Sequence, residues 1–151
     1  MIRELIYWDS AAFLAYFQNE PASAELCQST LERAEAGDIL IITSTLTIAE
    51  CLWLKGSPKL SKDRAEIIRR FFRRSCISLR NVTRATSELA QDLVWDQGLK
   101  PKDAIHAATA IETSSPIIET FDHGFIKRSA CFGNPAIIVR NPLPPREPRL
   151  L

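Results

Sequence analysis

Short apolar runs alternate with longer stretches of helical periodicity along this chain of 151 residues, and that alternation constrains the fold more than any other feature. Residues 4–9 (ELIYWD), 39–44 (ILIITS), 76–82 (CISLRNV), 116–121 (PIIETF) and 136–140 (AIIVR) read as strands, the first two apolar enough to be buried on both faces. Between them, Ser10 caps a helix over AAFLAYF, and Pro21 opens a second that runs to about Ala36 and ends at Gly37-Asp38. TLTIAECLWL predicts a helix from Thr45 to near Gly56-Ser57-Pro58, and Ser61 to Ser75 another, in which Ile67 and Ile68 stack on Phe71 and Phe72. Helices from Thr83 to Asp96, closed by Gly98, and over KPKDAIHAATAIE follow, then a short helical turn from Asp122 to Ser129. Strands alternating with helices pair in parallel through right-handed crossovers, so the expected fold is a three-layer α/β/α sandwich around a parallel sheet of about five strands. It occupies residues 1–140. The proline-rich tail, 141–151, is expected to be extended and outside the core.

Hydrophobic residues at 46% and charged residues at 25% exclude a disordered chain, a collagen-like repeat or a disulfide-stapled miniprotein. No apolar run approaches the roughly 18 residues of a membrane span, and MIRELIYWDS lacks the pattern of a secretory leader, so a cytoplasmic location is expected. Cys27, Cys51, Cys76 and Cys131 are scattered with no C-x-x-C pair, which argues for reduced thiols and against a zinc knuckle. A net charge of +1 does not announce a nucleic-acid binder, but eight basic residues against Asp63 and Glu66 between Lys55 and Arg74 form a local positive patch.

In a parallel sheet, ligands bind beyond the carboxyl ends of the strands. Asp9 ends the first strand and Asp122 follows the fourth, so both belong to one edge. Glu50 and Asp103 lie in apolar helical contexts, TLTIAECLWL and DAIHAATA. A carboxylate in such surroundings carries a large desolvation cost and requires protonation, cationic partners or a metal. Individually, Asp9 and Asp103 are equally well explained as a helix cap and a macrodipole partner. Glu50, inside a helix, gains little from capping. Taken together, the four acids favour a metal site, and hard oxygen donors suit Mg2+ or Mn2+.

These motifs resemble the PIN-domain nucleases, the fold of VapC-like ribonuclease toxins and of several RNA-processing enzymes. YWDSAAFLAYF resembles the family's first-strand aspartate and falls on Asp9; TSTLTIAECLWL matches its helical glutamate at Glu50. LKPKDAIHAATA resembles its third motif at Asp103, and ETFDHGF its Thr-x-Asp pattern at Thr120 and Asp122. Many relatives carry a further acid where this chain has Gly124, an apolar residue where it has His106 and a basic one where it has His123. The resemblance implies Mg2+- or Mn2+-dependent hydrolysis of RNA by Asp9, Glu50, Asp103 and Asp122 as catalytic metal ligands, with Ser10 and Thr120 supporting them. It further implies a homodimer inhibited by a cognate antitoxin, as in toxin–antitoxin pairs. His106 and His123 read more simply as packed or surface imidazoles than as ligands. Arg69, Arg70, Arg73 and Arg74 are candidate RNA contacts, while Phe71 and Phe72 are better read as core or subunit packing. Two alternatives remain beside the toxin: a noncatalytic PIN-like module that binds RNA or a partner, and a PIN nuclease of RNA processing. A haloacid-dehalogenase-type phosphohydrolase ranks below both, because Asp9 is followed by Ser10-Ala11 and no D-x-D pair is present.

Overall fold

The computed structural model describes residues 2–52 and 59–145. Five strands, β1 (Glu4–Trp8), β2 (Ile39–Ser44), β3 (Ile77–Arg80), β4 (Ile117–Glu119) and β5 (Ile138–Arg140), form one sheet in the order β3-β2-β1-β4-β5. Every pairing is parallel. Successive strand residues face opposite ways, and the two faces are closed by different helices. Ile6, Trp8, Ile39, Ile41 and Ile77 pack toward α1 (Ser10–Phe17), α2 (Ser23–Glu35) and α4 (Lys62–Phe72). Tyr7, Ile42, Ile118 and Val139 pack toward α5 (Arg84–Gln97) and α6 (Pro101–Glu112), with Phe125 of the short α7 (His123–Ile126) closing that side. This is the expected α/β/α sandwich, and among the described residues no helix is long and apolar enough to cross a membrane.

The helix after β2 departs from its sequence pattern: α3 spans only Leu46–Glu50, and the chain turns at Cys51. The expected end near Gly56-Ser57-Pro58 lies outside the described residues. In α4, Ile68, Phe71 and Phe72 are buried against Phe13 and Phe17, but Ile67 is 65% exposed, because four successive apolar-stripe positions exceed the face one helix can bury. Of the tail, residues 141–145 form no regular element, and 146–151 lie outside the described residues. All four cysteines are free.

The strand order places the topological switch between β1 and β4, whose connections leave in opposite directions. That leaves a crevice at their carboxyl ends, the place where such sheets bind ligands. Asp9 and Thr120 are the residues immediately following these two strands.

Candidate active site

Asp9 leaves β1 in extended backbone and is itself the N-cap of α1, its Oδ1 accepting from Ala12 N–H at 3.1 Å. The expectation that Ser10 caps this helix is thereby corrected: Ser10 is the first helical residue. The second oxygen, Oδ2, accepts from the Thr120 hydroxyl at 2.6 Å, and that hydroxyl in turn accepts from Asp122 N–H at 3.1 Å. Thr120 therefore ties the ends of β1 and β4 through one oxygen atom. Asp9 is 3% exposed, and burial raises its pKa against the opposing pull of His106 and the Thr120 bond.

Asp122 caps α7, with Oδ1 accepting from Gly124 N–H at 2.9 Å and Phe125 N–H at 3.3 Å. A Cβ at Gly124 would stand 3.2 Å from that oxygen, so the glycine gives the cap room. Asp103 lies in the first turn of α6, which Pro101 opens. Its carboxyl is pushed up to about 6 by burial first, then by the charges of Asp122 and Asp9. Among the described residues no hydrogen-bond donor reaches its side chain. Three acids thus act on one another at the switch point, and of them Asp103 has no hydrogen-bond donor among the described residues.

Glu50 has a different environment. As the last residue of α3 it turns Oε1 to Nε2 of His106 at 2.9 Å and Oε2 to Lys102 Nζ at 4.0 Å. Partial burial pushes its pKa up, but the His106 bond, His106 and Lys102 charge and the Ser10 hydroxyl outweigh that and leave it lowered. His106 is 1% exposed, and its Nδ1 lies 2.6 Å from the Tyr7 hydroxyl, whose pKa burial raises well above its ordinary value. A carboxylate only accepts, so Nε2 carries hydrogen toward Glu50, and Nδ1 and the Tyr7 hydroxyl share the second hydrogen bond of the ring. The sequence anticipated a packed imidazole at 106; it held no sign of Tyr7, which lies on the opposite side of β1 from Trp8 and reaches α6 only through the fold. His123 is exposed at the start of α7.

The edge thus brings Asp9, Asp103 and Asp122 within electrostatic reach of one another, and Glu50 stands beside them across His106. Among the described residues no group of three His, Cys, Asp or Glu side chains closes around a metal position. The donor chemistry nonetheless fits Mg2+ or Mn2+: hard oxygens, and a carboxyl raised to about 6 by burial and by two neighbouring acids.

Arg69 and Arg70 lie in the last turn of α4, Arg73 is its C-cap and Arg74 follows it. Arg74 lies directly before β3 and shares a hollow with Arg3, Gly37 and Cys76, which precede or begin the amino ends of the strands. Arg69 and Arg73 each reach Glu66 at 3.8 Å, and Arg74 reaches Glu35 at 3.1 Å and stacks over Phe71 at 4.3 Å.

Residues 6–130 match the sequence model of the PIN domain. The chain belongs to the PIN domain family. No curated protein matches it significantly. The fold is similar to that of VapC20 of Mycobacterium tuberculosis, described as a sarcin-ricin loop cleaving toxin, with TM-score 0.62 and 18% identity over 80% of this chain and 92% of that one. VapBC2 of Rickettsia felis, solved with a DNA fragment from its promoter, gives TM-score 0.64 and 19% identity over 91% of this chain and 98% of its own. FitAcB of Neisseria gonorrhoeae gives 0.57 and 17% over 91% and 97%. At these identities the likeness is one of fold, and the four acids of this PIN domain fall on elements that all the packing above fixes independently.

Proposed function

We propose that this PIN domain is an endoribonuclease dependent on Mg2+ or Mn2+, and the toxin of a toxin–antitoxin pair. The observation that carries the proposal is the convergence of Asp9, Asp103 and Asp122 at the sheet's switch point, with Asp103 raised to about 6 by burial and by its two neighbours. Such an edge repels phosphate by itself. A divalent cation held by these carboxylates would supply the positive charge that reverses this and the Lewis acidity that favours a hydroxide nucleophile. The chain's own part is to hold the donors. Asp9 is fixed by Ala12 N–H and Thr120, Asp122 by the α7 cap, and Glu50 by His106, leaving Asp103 as the donor least engaged by the protein. Closing around an ion requires side-chain rotation, of which Asp103 and Glu50 are capable without breaking a helix cap.

The toxin role is supported by likeness of fold to VapC20, VapBC2 and FitAcB, and it carries with it a cognate antitoxin and a homodimeric working form. The test is RNA cleavage by purified protein with Mg2+ or Mn2+ and with EDTA. Metal-dependent cleavage lost in Asp103→Asn is expected; RNA binding without cleavage in any metal would move the protein to the noncatalytic alternative. Toxicity on expression, relieved by a protein encoded next to the gene, separates the toxin from an RNA-processing nuclease.

A further inference from the structure

Asp103 and Asp122 share an open cleft of about 460 Å3 with Lys100, Lys127 and Arg128. All three cations are exposed, and among the described residues none forms an ion pair with a carboxylate. Lys100 is near enough to favour the Asp103 anion, yet burial and the neighbouring acids outweigh it. Arg128 extends over Gly98, where a Cβ would stand 3.4 Å from Nη2. Gly98 also adopts φ +65, a left-handed conformation that closes α5, so the wall beneath the guanidinium is bare backbone. Cations beside acids ordinarily pair with them; here three remain open to solvent along the rim of an acidic cleft.

The basic helix singled out by sequence has the opposite arrangement. Arg69 and Arg73 are engaged by Glu66 and Arg74 by Glu35, Arg70 forms no ion pair among the described residues, and the chain beyond the helix leads into the amino end of β3. The six residues of β2 set the two edges of the sheet about 20 Å apart. An RNA strand seated on Arg74 would have to cross that distance before a phosphate reached Asp103.

The geometry points to Lys100, Lys127 and Arg128 as the residues that hold the RNA phosphate backbone across the acidic edge, with the α4 arginines outside the RNA path. This rests on the ribonuclease proposal and names the residues that bring substrate to that site. Phosphates held this way lie one step from Asp103 and Asp122, and each contact releases counterions, which makes binding steeply dependent on salt.

The test is equilibrium binding of a fluorescent single-stranded oligoribonucleotide across a salt series, in EDTA so that no cleavage intervenes. Three variants are compared with wild type: a cleft variant (Lys100→Gln, Lys127→Gln, Arg128→Gln), a charge-preserving one (Lys100→Arg, Lys127→Arg, Arg128→Lys), and an α4 variant (Arg69, Arg70, Arg73 and Arg74 each to Gln). The cleft variant is expected to bind about tenfold or more weakly at low salt, with the slope of log affinity against log salt shallower by about 2. The charge-preserving and α4 variants are expected to keep the wild-type slope. Thermal melts exclude unfolding as the cause. If the α4 variant loses the slope, or the cleft variant keeps it, the inference is overturned while metal-dependent cleavage by wild type still upholds the ribonuclease. If wild type neither binds nor cuts RNA, the ribonuclease proposal itself falls.

Discussion

Glu50 and Asp103 flank the same edge of the sheet from different helices, and burial alone would raise both. Glu50 ends up lowered because His106, Lys102 and Ser10 meet it; Asp103 ends up at about 6 because burial and the charges of Asp122 and Asp9 outweigh His106 and Lys100. Glu119 makes the lesson sharper. It is 1% exposed, and its Oε1 accepts from Trp8 Nε1 at 2.8 Å and from Thr30 Oγ1 at 2.7 Å on the α2 face. A buried carboxylate with such donors is part of the scaffold. Asp103, partly buried and without a hydrogen-bond donor among the described residues, stands apart from it.

The largest effect should come from removing the unpartnered charge. Asp103→Asn is expected to lower RNA cleavage by about a hundredfold or more, since it removes a donor needed where charge develops in the transition state. Single-turnover rates with Mg2+ check this, and cleavage near the wild-type rate would break the contrast with Glu50.

Next comes the partnered side. His106→Leu leaves both the Tyr7 hydroxyl and the Glu50 carboxylate without their donor or acceptor, and should cost about 1–3 kcal/mol in urea denaturation. Tyr7→Phe removes only one hydroxyl from this chain of bonds and should cost nearer 1 kcal/mol. Equal stability of His106→Leu and wild type would mean that Glu50 is not held as described.

A smaller effect distinguishes the two acids by pH. An Asp whose folded pKa lies near 6 binds more protons in the folded than in the unfolded state between about 4 and 6. The metal-free protein should therefore gain stability from Asp103 as pH falls from 7 through 6, and Asp9, also raised, adds in the same direction. Glu50 has the opposite sign: its lowered pKa stabilises above its ordinary range, and that share is lost on further acidification. Chemical denaturation of wild type and Asp103→Asn in EDTA between pH 7 and pH 5 should show the gain in wild type and a flatter response in the variant. The least effect is expected on α4, where replacing Arg69, Arg70, Arg73 and Arg74 by Gln breaks only exposed ion pairs and should change stability by about 0.5 kcal/mol or less per pair.

The strand–helix alternation was legible because buried parallel strands leave continuous apolar runs, as ILIITS does, and because Thr83, Gly98 and Pro101 carry the cap chemistry the structure uses. Asp9 and Asp122 fell on one edge for the same reason: parallel strands fix which ends coincide. What the sequence could not carry is contact across the fold. Tyr7 and His106 are 99 positions apart and Lys102 meets Glu50 across two helices, so no local pattern records them. The early end of α3 at Glu50 escaped because TLTIAECLWL continues in helix-compatible residues past the point where tertiary structure turns the chain. The basic run of α4 was visible as composition, but the direction of the helix relative to the acids is a property of topology.

The place of Asp103 in a metal site is tested most directly by thermal melts of wild type and Asp103→Asn, each with Mg2+ or Mn2+ and each with EDTA. A ligand that binds only the folded state adds about 2.7 kcal/mol at a hundredfold excess over its Kd, so metal should raise the wild-type melting temperature visibly. Asp103→Asn should melt at the wild-type temperature or above it in EDTA, because one repelling charge is gone at nearly constant volume, and should show no metal-induced rise. A variant that melts much lower in EDTA and keeps the full rise with metal would make Asp103 a structural residue of the α6 terminus and contradict its place in the metal site.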